Sequence, residues 1–275
     1  MNGNIREHYE RHGYALIRNV YSSADLAAIT REISTATDAH ARELFSKGAI
    51  TDLHAGAPFD RRLAALYAGR DMGVRMWDEV LSAATLAAFV THPSLGEVIA
   101  EVLGPEAVFS GDFHLRPKLP ESTLTSFPWH QDSQYYGAIT EHLHIITAWV
   151  PLVDTDEQNG CLWIIPGSQR WGLLKGARGA DQNIRTFEDV ERRGTPVPVP
   201  MKRGDALIFS NLTFHASNLN LTKKVRWSMD VRYYARRDEA QMNPNERVAY
   251  EHFSQRLAAS RRHPLALNVP AKGSI

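Results

Sequence analysis

His130 and Asp132 stand two positions apart in Trp129-His130-Gln131-Asp132, and His215 follows 83 positions later in Leu212-Thr213-Phe214-His215. Two neutral imidazoles and one carboxylate can hold a divalent iron on one face, leaving the other face open to substrate and oxygen. A chain that gathers these residues would be an oxygenase. Residues i and i+2 of a strand point to the same side. The spacing therefore predicts that His130 and Asp132 reach one metal from one short strand. His215 would come from a distant strand folded alongside, as closed sheets allow. The pair alone is weak, since chance supplies on the order of one His-x-Asp match among so many histidines. His8-Tyr9-Glu10 is a decoy of similar form, and its surroundings read as an exposed helical turn ending at Gly13.

A second signal, Arg226-Trp227-Ser228, begins 11 residues after His215. On a strand Arg226 and Ser228 share a face. The planar guanidinium binds a carboxylate through two parallel bonds, and a hydroxyl can add another. That suits the distal carboxylate of 2-oxoglutarate. The alternative is a structural ion pair between Arg226 and Asp230 or Asp205.

The elements that must position these groups change character along the chain. The first hundred residues read as mostly helical. Ser22-Ser23-Ala24-Asp25 looks like a capped start for a helix reaching residue 46, with Leu26, Ile29, Ile33, Ala36, His40 and Leu44 on its inner face. Gly13 to Ile17 reads as a strand before it. Met72 to Val90 reads as helical, and a further helix from Ser94 is stopped by Gly104-Pro105. From Val108 the pattern turns to short strands: Leu143 to Val153, Cys161 to Ile165, Asp205 to Phe209 and Val225 to Tyr234. Residues 168–196 break this rhythm and read as a lid or a surface insertion. Glu246 to Arg261 reads as a final helix. No repeat or linker is visible, so one domain over 1–275 is expected. It has a helical part at about 1–105, a β-core at about 106–235 and a C-terminal helix at about 246–262.

Composition excludes some classes. Lys+Arg and Asp+Glu are both 31, which gives no basic footprint for nucleic acid. Cys161 is the only cysteine, so neither an internal disulfide nor a cysteine-rich zinc site is possible. The amino terminus has no signal-peptide pattern and the apolar runs are short, so a cytoplasmic protein without membrane contact is expected. Oligomeric state is not readable.

The motifs together resemble the phytanoyl-CoA dioxygenase family of iron(II)/2-oxoglutarate oxygenases. The resemblance rests on His130-Gln131-Asp132, His215 and Arg226. It also rests on the signature Asp156-Glu157-Gln158-Asn159-Gly160-Cys161-Leu162-Trp163-Ile164-Ile165-Pro166-Gly167-Ser168, on Gly204-Asp205-Ala206-Leu207-Ile208-Phe209, and on Tyr9 to Val20. It runs from about residue 7 to 235. It implies a mainly β fold: a double-stranded β-helix, jelly-roll or cupin-like, with flanking α-helices. It implies Fe(II) held by His130, Asp132 and His215, with 2-oxoglutarate and O2 as cosubstrates. Arg226 matches the family's residue for the distal carboxylate. Thr147, Trp149 and His114 match positions near the cosubstrate, and Ser228 follows the wider Arg-x-Ser pattern. Gln169 stands where many members have histidine, which is expected to alter the pocket rim.

The implied reaction converts 2-oxoglutarate to succinate and CO2 while hydroxylating an aliphatic C–H. Related halogenases lack the carboxylate, so Asp132 favours hydroxylation over chlorination. Gln134, Tyr135 and His144, with Tyr136, flank the metal motif and are candidate substrate contacts. Lys175, Arg178 and Arg185 could favour an anionic compound. The expected partner is a small polar metabolite: an amino acid, aminophosphonate, ectoine-like solute or secondary metabolite. An acyl thioester substrate, desaturation or cyclisation, a non-enzymatic jelly-roll binder and a cupin-type enzyme without 2-oxoglutarate stay open.

Overall fold

The strand Arg226–Ala235 shows how the molecule is sorted. Trp227, Met229, Val231 and Tyr233 lie on one face, and Arg226, Ser228, Asp230 and Arg232 on the other. All eight are buried. A polar strand face can be buried only where a second layer covers it and answers its charges.

The computed structural model describes residues 4–70, 77–235 and 243–259. Its strands are β1 (Tyr14–Ile17), β2 (Ala107–Lys118), β3 (Phe127–His130), β4 (Ile145–Pro151), β5 (Leu162–Ile164), β6 (Gly176–Arg178), β7 (Ile184–Thr186), β8 (Val197–Val199), β9 (Ala206–Ser210), β10 (His215–Ser217) and β11 (Arg226–Ala235). One antiparallel sheet runs β1-β9-β4-β11-β2, a second β3-β10-β5-β8, and β6 and β7 form a separate hairpin. The two main sheets build the expected jelly-roll core.

Alternation assigns each side chain to a layer. On β4, Ile146, Ala148 and Val150 join Ala206 and Ile208 of β9 in the cluster that packs under the helices. Trp149, Leu207 and Phe209 point instead into the space between the sheets, where they meet Leu162 and Ile164 of β5. The covering helices are α1 (Ile5–His12), α2 (Ala27–Ser46), α3 (Phe59–Tyr67), α4 (Ala83–Val90) and α5 (Pro93–Leu103). Ile29, Ile33, Leu63, Leu66, Leu86, Phe89, Leu95 and Ile99 share one apolar core with the outer face of the large sheet. Buried hydroxyls fasten it: Tyr21 donates to Phe89 O and Tyr233 to Val90 O, both at 2.7 Å.

Several expectations need correction. Ser22 and Asp25 do exchange hydrogen bonds, but they close a turn ahead of α2, which starts at Ala27 without a side-chain cap. The segment read as one helix at 72–90 contains a short 3-10 turn, Asp78–Val80, and then α4; residues 72–76 lie outside the described ones. Residues 168–196 are not irregular throughout, since they hold the β6–β7 hairpin and α7 (Val190–Arg193). A short α6 (Asp132–Tyr136) follows β3, and the last helix is α8 (Pro244–Ala259), with 260–262 outside the described residues. α1 ends at a left-handed Gly13, as read from sequence. No single helix among the described residues is long and apolar enough to cross a membrane.

Candidate active site

β3 and β10 are antiparallel neighbours, and His130 and His215 are direct register partners. Their rings lie 4.1 Å apart. Asp132 does not share their strand. It is the first residue of α6, which corrects the expectation of one strand for both residues. The i,i+2 relation nonetheless holds, because Gln131 stays extended (φ −112°, ψ 139°) before the helix begins. One imidazole nitrogen from each histidine and one Asp132 oxygen fall within 4.8 Å of one another, and all three residues are buried.

The orientation of each donor is fixed from behind. His130 Nδ1 faces Pro128 O at 2.7 Å, and His215 Nδ1 faces Thr213 O at 3.0 Å. Each Nδ1 therefore carries the proton, and each Nε2 lone pair points inward. Asp132 Oδ1 lies 3.9 Å from His130 Nε2 and 3.6 Å from His215 Nε2. Its Oδ2 accepts from Thr147 Oγ1 at 2.5 Å and lies 3.7 Å from Arg232 Nη2. Burial holds both imidazoles neutral, pushing the His130 pKa down to about 3 and lowering that of His215. Burial pushes Asp132 up, but Arg232, the two histidines and the Thr147 hydroxyl outweigh it, so the carboxyl sits below its ordinary range. Neutral nitrogens and an ionised oxygen, with no internal proton to displace, form a donor set that fits a divalent iron.

The triad opens into a cavity of about 580 Å³ that Arg226, Trp149, Thr147, His114 and Tyr135 also line. Arg226 is 2% exposed, and its Nε has no hydrogen-bond partner. Its Nη1 donates weakly to Ser228 Oγ at 3.4 Å, and its Cζ lies 5.0 Å from the centre of the Trp149 ring. Neither carboxylate weighed as its structural partner takes that role. Asp230 is held by Arg116 and Arg232, and Asp205 by Arg18. Burial lowers the Arg226 pKa to about 9, so the guanidinium is destabilised until an anion meets it.

The remaining sequence candidates divide. Trp149 lines the cavity with its ring beside Arg226. Thr147 lines the cavity and donates to Asp132. His114 also lines it, with Nδ1 at 3.1 Å from Asp78 Oδ2. Tyr135 sets its ring edge-on to His130 at 5.3 Å. Gln134 is not a cavity residue: it caps α6 and donates to Leu174 O and Thr186 Oγ1. His144 is exposed just before β4 and does not reach the cavity. Tyr136 lines the cavity and donates to Asp112. Lys175 and Arg185 are exposed outside it, whereas Arg178 reaches its lining. Gln169 turns away to donate to Glu10 O, so it does not shape the rim.

Sequence reading missed Asp112, Arg116, Asp230 and Arg232, all of which line the cavity. The signal was present in β2, where Asp112, His114, Arg116 and Lys118 alternate with Phe113, Leu115 and Pro117. Gln131 was missed as well. It is wholly buried and bonds Gly172 O, Leu212 O and Leu174 N, which locks the loop carrying Asp132.

The chain matches the phytanoyl-CoA dioxygenase family over residues 9–228. It belongs to that family. As such it is a non-haem iron(II)- and 2-oxoglutarate-dependent oxygenase. The 1-deoxypentalenic acid 11-beta-hydroxylase of Streptomyces arenae is 31% identical over 242 residues, covering 82% of this chain and 78% of that protein. Human peroxisomal phytanoyl-CoA dioxygenase is 23% identical over 236 residues, covering 83% and 67%. EctD from S. alaskensis, solved with 2-oxoglutarate and 5-hydroxyectoine, has a similar fold. Its TM-score is 0.58 at 18% identity, over 98% of this chain and 87% of that one.

Proposed function

We propose that this member of the phytanoyl-CoA dioxygenase family hydroxylates an aliphatic C–H bond of a small molecule bearing a polar group. In this reading His130, Asp132 and His215 hold iron(II), and Arg226 holds the distal carboxylate of 2-oxoglutarate. The observation that carries it is the buried Arg226, which lacks a carboxylate partner and opens onto the same cavity as the triad. A guanidinium that buried is expected to have an anionic guest. Ser228 accepts from the guanidinium, and the Trp149 ring lies against it. Iron(II) bound with 2-oxoglutarate and O2 supplies an oxidant able to attack an unactivated C–H, with succinate and CO2 as coproducts. The protein decides which carbon is presented.

Cavity size supports a compact substrate. A volume of about 580 Å³ must hold the cosubstrate and the reacting molecule together. An acyl coenzyme A would leave its nucleotide outside. The test is succinate release with iron(II), 2-oxoglutarate and a panel of metabolite classes. Asp132→Ala should abolish substrate-dependent succinate formation. Arg226→Lys keeps the charge but loses the fork, so its 2-oxoglutarate requirement should rise tenfold or more. Turnover without 2-oxoglutarate, or an unchanged requirement in Arg226→Lys, contradicts the assignment.

A further inference from the structure

We infer that Arg116 and Arg178 form an anion clamp at the cavity mouth, and that the substrate is a monocarboxylic acid gripped by its carboxylate. This rests on the oxygenase reading above and specifies its substrate class. Arg116 stands on the interior face of β2, with its Cζ 4.9 Å from the centre of the Phe127 ring. Among the described residues it bonds Asp230 Oδ1 through Nε at 2.8 Å, and neither Nη group is engaged. Arg178 ends β6 of the hairpin, with its Cζ 5.3 Å from the centre of the Tyr135 ring. Its Nη1 donates to Gln182 O at 2.9 Å, and its Nη2 has no acceptor among the described residues. The Phe127 and Tyr135 rings both approach His130, with centroids at 6.3 and 5.3 Å. Two guanidiniums, each laid on an aromatic ring, thus flank the same iron ligand.

Arg178 pairs with no carboxylate among the described residues, and Arg116 shares Asp230 with Arg232 through Nε alone. Asp230 already has Arg232 at 2.5 Å. His114 faces Asp78 at 3.1 Å, and Asp78 also accepts from Leu115 N at 2.7 Å. The residues lining the cavity include four arginines (116, 178, 226 and 232) and three aspartates (112, 132 and 230). Iron(II) and the 2-oxoglutarate dianion cancel each other. One positive charge is left, and it sits at the mouth, because Arg226 faces the cosubstrate and Arg232 is enclosed by aspartates. A monoanion completes neutrality; a phosphate ester dianion exceeds it. Carboxylate geometry also matches the forked donors that face it. A coenzyme A thioester has converted that carboxylate to a neutral carbonyl and does not satisfy the clamp.

The test uses cyclohexanecarboxylate and cyclohexanecarboxamide as an isosteric charged and neutral pair. Each is titrated by calorimetry, without oxygen, into full-length protein saturated with iron(II) and 2-oxoglutarate. The carboxylate should bind at least tenfold more tightly than the amide. Arg178→Gln should remove most of that preference while amide affinity stays within twofold. Arg178 lies on an exposed hairpin and bonds only Gln182, so its loss keeps the fold; Arg116→Lys, which retains the charge, should give an intermediate preference. Equal binding of acid and amide, absence of saturable acid binding, or a preference that survives Arg178→Gln overturns the clamp. The visible absorption that appears when 2-oxoglutarate chelates iron(II) separates the two levels. If it forms and the acid does not bind, only the clamp fails. If it does not form, the oxygenase reading fails and the clamp with it.

Discussion

The two oxygens of Asp132 have different tasks. Oδ1 faces the two Nε2 atoms, while Oδ2 is occupied by the Thr147 hydroxyl and approached by Arg232. Thr147 therefore orients a ligand, and groups of that kind typically change metal affinity by about 10–100-fold. Thr147→Val should weaken iron(II) binding by about tenfold with the fold intact, as read by metal titration; unchanged affinity would contradict its role. Asp230 carries a second prediction. Burial raises its pKa, but Arg116 and Arg232 outweigh burial and hold it well below the ordinary carboxylate range. A carboxyl depressed on folding stabilises fully above its unfolded pKa of about 3.9 and loses that contribution as pH falls below it. Wild-type protein should lose more stability between pH 5 and pH 3 than Asp230→Asn does. At neutral pH the variant should be less stable by roughly 3–5 kcal/mol, because the buried Arg232 and the half-buried Arg116 lose a shared carboxylate. Thermal melts across pH check both signs. The triad was legible from residue type and order, but the division of labour on Asp132 was not. It depends on a threonine 15 residues away whose partner only the fold selects.

At the level of elements, α6 and the β6–β7 hairpin act as a unit. Gln134 donates to Leu174 O and Thr186 Oγ1, and Tyr135 Oη accepts from Ile184 N at 2.9 Å. The helix that presents Asp132 is thereby stitched to the hairpin that presents Arg178. Tyr135→Phe leaves the Ile184 amide without its acceptor and loosens the hairpin. The KM for substrate should rise several-fold, while the KM for 2-oxoglutarate, proposed to be held at Arg226, should change less than twofold. Equal changes in both would separate the hairpin from substrate binding. The hairpin was invisible in sequence because Gly176, Ala177 and Arg178 are all exposed. A strand that buries neither face leaves no period-two apolar pattern. The strand at 226–235 had the opposite difficulty. Its alternation was plain, but a polar face normally implies solvent, and only closure by the second sheet turns it inward.

For the whole molecule, the site depends on long-range pairing. His130 and His215 become neighbours only when β3 and β10 pair, and Arg226 joins them only through β11 in the other sheet. The jelly-roll class was readable from short strands, turn residues and family resemblance. The cavity's charge balance was not, because it sums side chains from both sheets and the hairpin. A ligand that joins β3, α6 and β10 should stabilise the folded chain. Iron(II) at 100 times its dissociation constant contributes about 2.7 kcal/mol. It should raise the melting temperature by about 5–10 °C in wild-type protein and by much less in His215→Ala.

The central claim is that one cavity joins a His130–Asp132–His215 iron site to a 2-oxoglutarate anchor at Arg226. Its most direct test is an oxygen-free titration of iron(II) and 2-oxoglutarate, followed by visible absorption. A 2-oxoglutarate-dependent band should appear and saturate at one iron and one 2-oxoglutarate per chain. The band should be lost in His215→Ala and should need at least tenfold more 2-oxoglutarate in Arg226→Lys. No such band in wild-type protein, or a band of unchanged strength in His215→Ala, would contradict it.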